Sequence, residues 1–230
     1  MTISVIIPTL NEEQAIEQTL AGLPSSLATE IILVDGGSTD RTLAIADAFC
    51  TNTPNAHLVH APTGRARQMN EGAKSSRGEI LLFLHADTQM PSEAPRIIES
   101  ALANPAVVGG RFDVRFDTHS GWGRIISTLM NWRSRTSGIA TGDQSIFVRR
   151  PIFERLGGFP DIPLMEDIEF SRRLKRAGPT VALRQTVTTS FRRWEQQGPL
   201  RTILLMWTLR LLYWAGISPS RLSQWYETVR

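Results

Sequence analysis

Short continuous apolar runs alternate along the first part of the chain with segments of helical spacing. Residues 4–8 (SVIIP), 30–35 (EIILVD), 56–60 (AHLVH) and 80–84 (ILLFL) are compact runs rich in Val, Ile and Leu. Runs this short, bounded by Gly, Pro or Asn, read as strands buried on both faces. Between them, Asn11 is positioned to cap a helix with Glu12 and Glu13 in its first turn, ending near Gly22-Leu23-Pro24. Asp40 caps a second helix through Phe49, and residues 64–76 read as a third, punctuated by Gly78. The alternation predicts an α/β fold with a mostly parallel central sheet and helices on both faces. In such sheets ligands bind beyond the carboxyl ends of the strands.

After residue 105 the rhythm changes. Residues 110–116 (GRFDVRF) alternate as an extended strand, whereas 121–137 mix polar and apolar positions around Trp122, Trp132 and three Arg. Residues 144–149 and 181–190 read as strands, 151–156 as a short helix and 167–177 as a helix ending at Gly178-Pro179. The pattern divides the chain into one domain over residues 1–198 and a C-terminal helical segment over 199–230. Within that segment residues 200–215 are apolar on nearly every side and broken by Arg210. A membrane span needs about 20 apolar residues. The run therefore fits a helix packed on its own domain, on a second copy, or on a membrane surface.

Composition narrows the classes. A single cysteine, Cys50, excludes a disulfide scaffold, and the 17 Gly and 13 Pro follow no period. The N-terminus lacks the basic and apolar regions of an export signal, so the expected location is cytoplasmic. Residues 1–63 hold seven acids and one base, a net of −6, so the remainder carries +9 to reach the overall +3. The bases are almost all Arg, whose planar fork suits phosphate and carboxylate. They are spread without an interleaved aromatic module, which argues against a nucleic-acid partner. No G-x-G-x-x-G, Walker-type loop or G-x-S-x-G elbow occurs.

Candidate chemistry gathers at the predicted strand ends. Glu12 follows the first, Asp35 ends the second, Asp87 ends the fourth in Leu84-His85-Ala86-Asp87, and Glu166-Asp167 precedes a later helix. His85 and Asp87 form an H-x-D pair whose alternate side chains face one way on extended backbone, with Gln89 two residues on. Carboxylate oxygens suit Mg²⁺ or Mn²⁺, and an imidazole tilts the choice toward Mn²⁺.

These residues carry a resemblance. Val5-Ile6-Ile7-Pro8-Thr9-Leu10-Asn11-Glu12 resembles the opening of the family 2 glycosyltransferases, which have the GT-A fold, and Val34-Asp35-Gly36-Gly37-Ser38-Thr39-Asp40 resembles their second-strand motif. His85-Ala86-Asp87 stands where they carry D-x-D, Met165-Glu166-Asp167 resembles their E-D motif, and Arg192-Arg193-Trp194 a weaker R-W element. The finer pattern is similar to a bacterial subgroup of arsenosugar-biosynthesis-type glycosyltransferases. The resemblance implies an inverting transfer from a UDP- or GDP-linked sugar, assisted by Mn²⁺ or Mg²⁺. It implies that Pro8, Thr9, Leu10, Glu12, Asp35 and Ala86 line the nucleotide pocket, with Arg65 and Arg67 near the phosphates or base. Asp87, His85 and Gln89 would meet the metal. Asp167 would be the base, placed by Glu166, and Arg192, Arg193, Trp194 and Asp143 would shape the acceptor or phosphate side. His85 departs from the family pattern by replacing an acid, which lowers the negative charge at the ion by one. A non-catalytic or regulatory sugar-nucleotide-binding protein of the same fold is the alternative reading. A membrane surface, at its inner face, or a homodimer would cover residues 200–226.

Overall fold

The computed structural model describes residues 1–23 and 30–229. Strands β1 (Ile3–Thr9), β2 (Glu30–Asp35), β3 (Ala56–His60) and β4 (Ile80–Phe83) pair in parallel in the order β3-β2-β1-β4. Strand β7 (Phe147–Arg149) runs antiparallel to β4 and to β6 (Gly109–Phe116). Strand β8 (Thr180–Thr189) lies parallel to β6, and the two-residue β5 (Thr88–Gln89) closes that edge antiparallel to it. One eight-stranded, mostly parallel sheet results.

The apolar runs become strands because both faces are covered. Along β1, Val5 and Ile7 pack into one core layer and Ile6 into the other, and all three are fully buried. This is the two-residue alternation of a strand sandwiched between layers. The first layer includes Ile16 and Leu20 of α1 (Ile16–Ala21) and Ile98 of α4 (Ala94–Ala101). The second takes Met69 and Ala73 from α3 (Arg65–Ser75) and Phe170 from α7 (Glu166–Ala177). Helix α2 (Thr42–Asn52) adds Ala46 to the first layer.

Three local expectations are corrected. Asn11 does not cap α1, which starts only at Ile16 with no side-chain cap. The loop after β1 instead leans on the loop after β2. Its amides donate across: Asn11 to Ser38 Oγ (3.1 Å), Glu12 to Thr42 Oγ1 (2.7 Å) and Glu13 to Asp40 Oδ2 (3.2 Å). Asn11 itself sits at φ +55° and accepts from the Thr39 amide at 2.9 Å. Asp40 does meet its helix, accepting from the Thr42 amide at 2.9 Å. The second correction is α5 (Gly121–Ser137), where no element was assigned. Its apolar residues fall on two faces, so no single stripe shows in the sequence. The third is residues 144–149, whose first part is a tight 3₁₀ turn over Gly142–Gln144 and only Phe147–Arg149 a strand.

The C-terminal part forms α8 (Arg192–Gln197), α9 (Pro199–Trp214) and α10 (Pro219–Val229). Leu209 of α9 and Leu222 of α10 pack with Ile139, Met165 and Ile168 in a third apolar cluster. Thus α9 rests on the start of α7 and the end of α5.

The seat of α3 on the sheet is tight. A Cβ at Gly72 would stand 2.5 Å from Ile6 Cγ2 and 2.8 Å from Val34 Cγ2. Overpacking a filled core costs about 1–3 kcal/mol. Gly72→Ala should therefore lower the unfolding free energy by that order, read as a lower urea midpoint at unchanged slope, and an unchanged midpoint would contradict the close approach.

Candidate active site

The carboxyl ends of β1, β2 and β4 meet as parallel pairing requires. Asp35, at the end of β2, is 2% exposed. Its Oδ2 accepts from the amides of Gly37 (2.9 Å) and Ser38 (3.0 Å), while its Oδ1 is buried with no partner. Buried acceptors are nearly always satisfied, so Oδ1 is an acceptor poised for a ligand donor. The strand ends are tied by Gln68 of α3, whose Nε2 donates to the carbonyls of Thr9 (2.7 Å) and Val34 (2.9 Å). Thr9 turns inward, its Oγ1 donating to the Val34 carbonyl at 3.3 Å. Pro8 lines a small cavity together with Arg65, His85, Gly142 and Asp167. Leu10 is exposed. Ala86 is buried, its carbonyl accepting from Thr19 Oγ1 at 2.7 Å.

His85 leaves the end of β4 and turns onto the Gly142–Gln144 turn. Its Nδ1 lies 3.2 Å from Asp143 Oδ1, and its Nε2 is buried against Gly142, where a Cβ would clash with it. The amide of Gly142 in turn donates to Asp167 Oδ2 at 2.8 Å, while Asp167 Oδ1 accepts from the Ile168 amide at 2.7 Å. A contact chain therefore runs from His85 through Asp143 and Gly142 to Asp167. Met165, just before, is held at φ +70°. That left-handed conformation is costly for a side chain this large, and it sets the entry of Glu166-Asp167 into the site.

Charge is dense here. Burial pushes the Glu166 carboxyl up and Asp167 adds to this, against Arg65, whose Nη1 stands 3.4 Å from Glu166 Oε1. Burial works against the Arg65 charge, yet Glu166, Asp167, Asp143 and Asp87 together hold its pKa above the ordinary value. Burial opposes the charge of Asp143 as well, but the His85 contact takes it down to about 2. Burial also disfavours the His85 cation, and the Asp143 hydrogen bond overrides it, so the imidazole is raised.

On the other side of this segment lies an open cleft of about 550 Å³, lined by Asp87, Gln89, Gln14, Asp117 and Arg192 among others. Asp87 Oδ1 has only long contacts, 3.3 Å to Thr88 Oγ1 and 3.5 Å to Thr189 Oγ1. Glu12 stands near. Burial first, then Asp87, pushes its carboxyl up, and Arg192 Nη2 answers it at 3.3 Å. Among the described residues no three His, Cys, Asp or Glu side chains form a ready cage for an ion. A site of one carboxylate open to a ligand's phosphates nevertheless fits Mg²⁺-type binding, in which substrate oxygens and waters complete the shell.

The remaining assigned residues divide. Arg192 joins the cleft, donating also to Gln14 Oε1 at 2.9 Å. Arg193 lies over the Tyr226 ring at 4.7 Å, and Trp194 stacks on Phe191 at 6.3 Å between ring centroids. Arg67 points away, pairing with Asp161 at 2.8 Å on the surface. Sequence reasoning missed Gln68, Asp117, Arg133 and the place of Arg210. Each acts through a contact distant in sequence. Only Arg210 carried a signal, as a charge inside an apolar run.

The sequence pattern of Glycosyl transferase family 2 matches residues 4–157. An undecaprenyl-phosphate 4-deoxy-4-formamido-L-arabinose transferase of Pseudomonas paraeruginosa is 33% identical over 157 residues, 64% of this chain and 46% of its own. A probable glycosyltransferase, YdaM, of Bacillus subtilis is 29% identical over 216 residues, 85% of this chain and 50% of its own. The chain thus spans about half the length of these curated relatives. Among solved structures, S. aureus TarS in complex with UDP-GlcNAc superposes with a TM-score of 0.66 at 21% identity, over 83% of this chain and 58% of that one. The mannosyltransferase PcManGT from Pyrobaculum calidifontis, in complex with GDP-Man and Mn²⁺, gives 0.66 at 23%, over 81% and 56%. The fold is theirs.

The His85–Asp143 pair has a pH signature. A raised imidazole contributes stability fully below its unfolded value, 6.5, and loses it as pH rises through the folded value. A depressed carboxyl contributes above 3.8 and loses it as pH falls toward about 2. The Tm difference between wild type and Asp143→Asn should therefore be widest between these ordinary values, 3.8 and 6.5, and narrow above them. A difference flat from pH 4.5 to 9 would refute the pair; these bounds are about two units either side of the imidazole's ordinary range.

Proposed function

Since the chain belongs to glycosyl transferase family 2, we propose that it moves a sugar, with inversion, from a nucleoside-diphosphate donor to an acceptor hydroxyl. The observation that carries this reading is the carboxyl edge itself. An unpartnered Asp35 oxygen, an open Asp87 carboxylate and a cavity-lining Asp167 are delivered there by separate elements. Asp35 Oδ1 would accept from the nucleobase or ribose, beside Pro8. UDP-GlcNAc on TarS and GDP-Man on PcManGT support a donor of this class.

Asp87, with Gln89 nearby, would hold a divalent ion, and the Mn²⁺ of PcManGT supports that choice. Such an ion offsets charge on the departing diphosphate. His85 is turned onto Asp143, so its part in this reading is to brace the Gly142 turn against Asp167. Asp167 would take the acceptor proton. Its two backbone contacts fix its direction, and Glu166, paired with Arg65, stands behind it. A regulatory protein that binds but does not turn over the donor is the competing reading. Release of UDP or GDP from a sugar nucleotide separates the two.

The acceptor side supports work at a membrane surface. No helix among the described residues is long and apolar enough to cross a membrane. Helix α9 nevertheless exposes Leu200, Leu204, Trp207, Leu211 and Trp214 along one face, each at least 60% exposed. Arg201 lies on the same helix, and bases near an anionic bilayer are worth about 1 kcal/mol each. The Pseudomonas relative is named for an undecaprenyl-phosphate substrate. We therefore place the chain on the cytoplasmic side, in peripheral contact with the inner face of the membrane.

Three outcomes are expected. Asp87→Ala should abolish Mn²⁺-dependent binding of UDP or GDP in a thermal-shift assay, and retained dependence would remove the ion from Asp87. Asp167→Asn should keep donor affinity and slow turnover by about 10²–10⁴-fold, the range of a lost general base. Equal losses in affinity and rate would mark Asp167 as a helix cap instead. The chain should float with anionic liposomes at low salt, whereas a dimer by sedimentation without flotation would assign α9 to a second copy.

A further inference from the structure

Arg133 of α5 and Arg210 of α9 meet behind the active site, and the described residues give neither a carboxylate within salt-bridge distance. Arg133 Nη1 makes one long contact, 3.4 Å, to the Ile139 carbonyl. Its Nε and Nη2 are buried with no partner. Ile139 packs in the same cluster as Leu209, the neighbour of Arg210, and as Met165 and Ile168, which flank Glu166-Asp167. The two guanidiniums are thus brought together beside Asp167 by packing.

This arrangement is unfavourable on its own. Burial, then the charge of Arg210, pulls Arg133 down to about 10, and burial also lowers Arg210. Two like charges side by side, one of them with orphaned buried donors at Arg133 Nε and Nη2, are costly unless an anion joins them. The carboxylates that face them do not fill that place. Asp143 is engaged by His85, and Asp167 by two backbone amides. Nor does the pair belong to the donor's ion. Asp87 faces Glu12 and Arg65, whereas the carboxylates facing Arg133 and Arg210 are Asp167 and Asp143, with Arg111 a further cation on the side of Arg133.

What surrounds the pair identifies the rest of the ligand. Arg133 follows Trp132, and Arg210 precedes Leu211. Both neighbours belong to exposed apolar rows: Trp122, Ile125, Leu129 and Trp132 on α5, and the row already described on α9. Their spacing of three and four residues keeps each row on one helix face. A ligand with an anionic head at the guanidiniums and an apolar tail along these rows satisfies both features at once.

We propose that Arg133 and Arg210 form a subsite for the phosphate of a phosphorylated lipid acceptor, its chain lying along the exposed faces of α5 and α9. This rests on the glycosyltransferase reading above and adds the acceptor's chemical class and the residues that select it. Paired guanidiniums match phosphate oxygens bidentately.

The test uses the intact chain with UDP and Mn²⁺ present. Farnesyl monophosphate, farnesol and inorganic phosphate are titrated below the lipid's micellar range, followed by tryptophan fluorescence. Farnesyl monophosphate should bind about tenfold or more tightly than farnesol, the scale of hydrogen bonds to a charged group. Inorganic phosphate should be a weak competitor. Arg133→Gln with Arg210→Gln should bring the two lipid affinities together and leave UDP affinity unchanged, while Arg210→Lys should retain part of the preference. Equal binding of the two lipids by the wild type overturns the subsite, and needs no variant to fold. Retention of the preference in the double glutamine variant also overturns it. Inorganic phosphate binding as tightly as the lipid phosphate would show an ion site without a lipid. Failure of the wild type to bind UDP or GDP would instead remove the donor reading, a distinct result.

Discussion

Bringing Asp87, Asp143, Glu166 and Asp167 into one site costs electrostatic energy, and Arg65 supplies the positive charge that all four share. Its position is therefore a constraint on everything around it. Arg65 is the first residue of α3, set by Gly64 at φ +136°. Helix α3 is fixed in turn by Gly72 against Ile6 and Val34 and by the Gln68 amide across two strand ends. The chemistry at the carboxyl edge thus depends on the packing of one helix on the parallel half of the sheet. The dependence is strongest at Glu166, which is buried, because a charge away from water feels its neighbours more strongly, whereas the half-exposed Arg65 and Asp143 stay in touch with water. Burial also differentiates the carboxylates. Glu166 is pushed up beside a cation that it shares, Asp143 is driven down by its own partner, and Asp167 is left facing the cavity.

The parallel half of the fold was legible because burial on both faces writes itself as unbroken apolar runs. The strands over residues 56–60 and 80–84 fall within a residue of where their hydrophobicity placed them. Helix α5 was not legible, for the converse reason. Its outer row of Trp122, Ile125, Leu129 and Trp132 competes with an inner row that includes Ile126, and no single face stands out. Asn11 misled because its local chemistry suits a helix cap, while tertiary contacts from Ser38, Asp40 and Thr42 satisfied the loop amides first. At the site, Asp35, Asp87 and Asp167 were readable as acids next to strand or helix ends. Arg67 carried the same charge signal and went to Asp161. Gln68 and Arg133 had no signal, since each is defined by a partner remote in sequence.

His85 shows how one substitution redistributes roles. A carboxylate there would add charge near Asp87. An imidazole can instead pair with Asp143 and fill the space left by Gly142, where any side chain would collide with it. The site then loses one negative charge beside Asp87 and gains a support for the turn whose amide holds Asp167. The two effects act on different steps. On the proposed reading, weaker charge beside Asp87 would bear on a leaving diphosphate and a firmer turn on the direction of Asp167, where misplacing a reacting group by about 1 Å can cost 10²-fold in rate.

The same logic of separate supports extends to the outer surface. Helix α9 is attached through few buried residues, chiefly Thr202 and Leu209, yet it carries five large apolar side chains outward. Apolar area left in water forfeits about 25 cal/mol per Å² that burial would return. Stability alone would be better served by polar residues at those positions, so the exposed row fits a covering surface. Leu209 packs against Met165 and Ile168, which flank Glu166-Asp167, and Arg210 comes off the next position toward Asp167 and Asp143. A surface that buries the outer row therefore sits one helix diameter, about 10 Å, from the base. On the proposed reading, an acceptor anchored in that surface would need no long reach to present its polar end, and Arg133 and Arg210, without a carboxylate partner among the described residues, stand where that end would arrive.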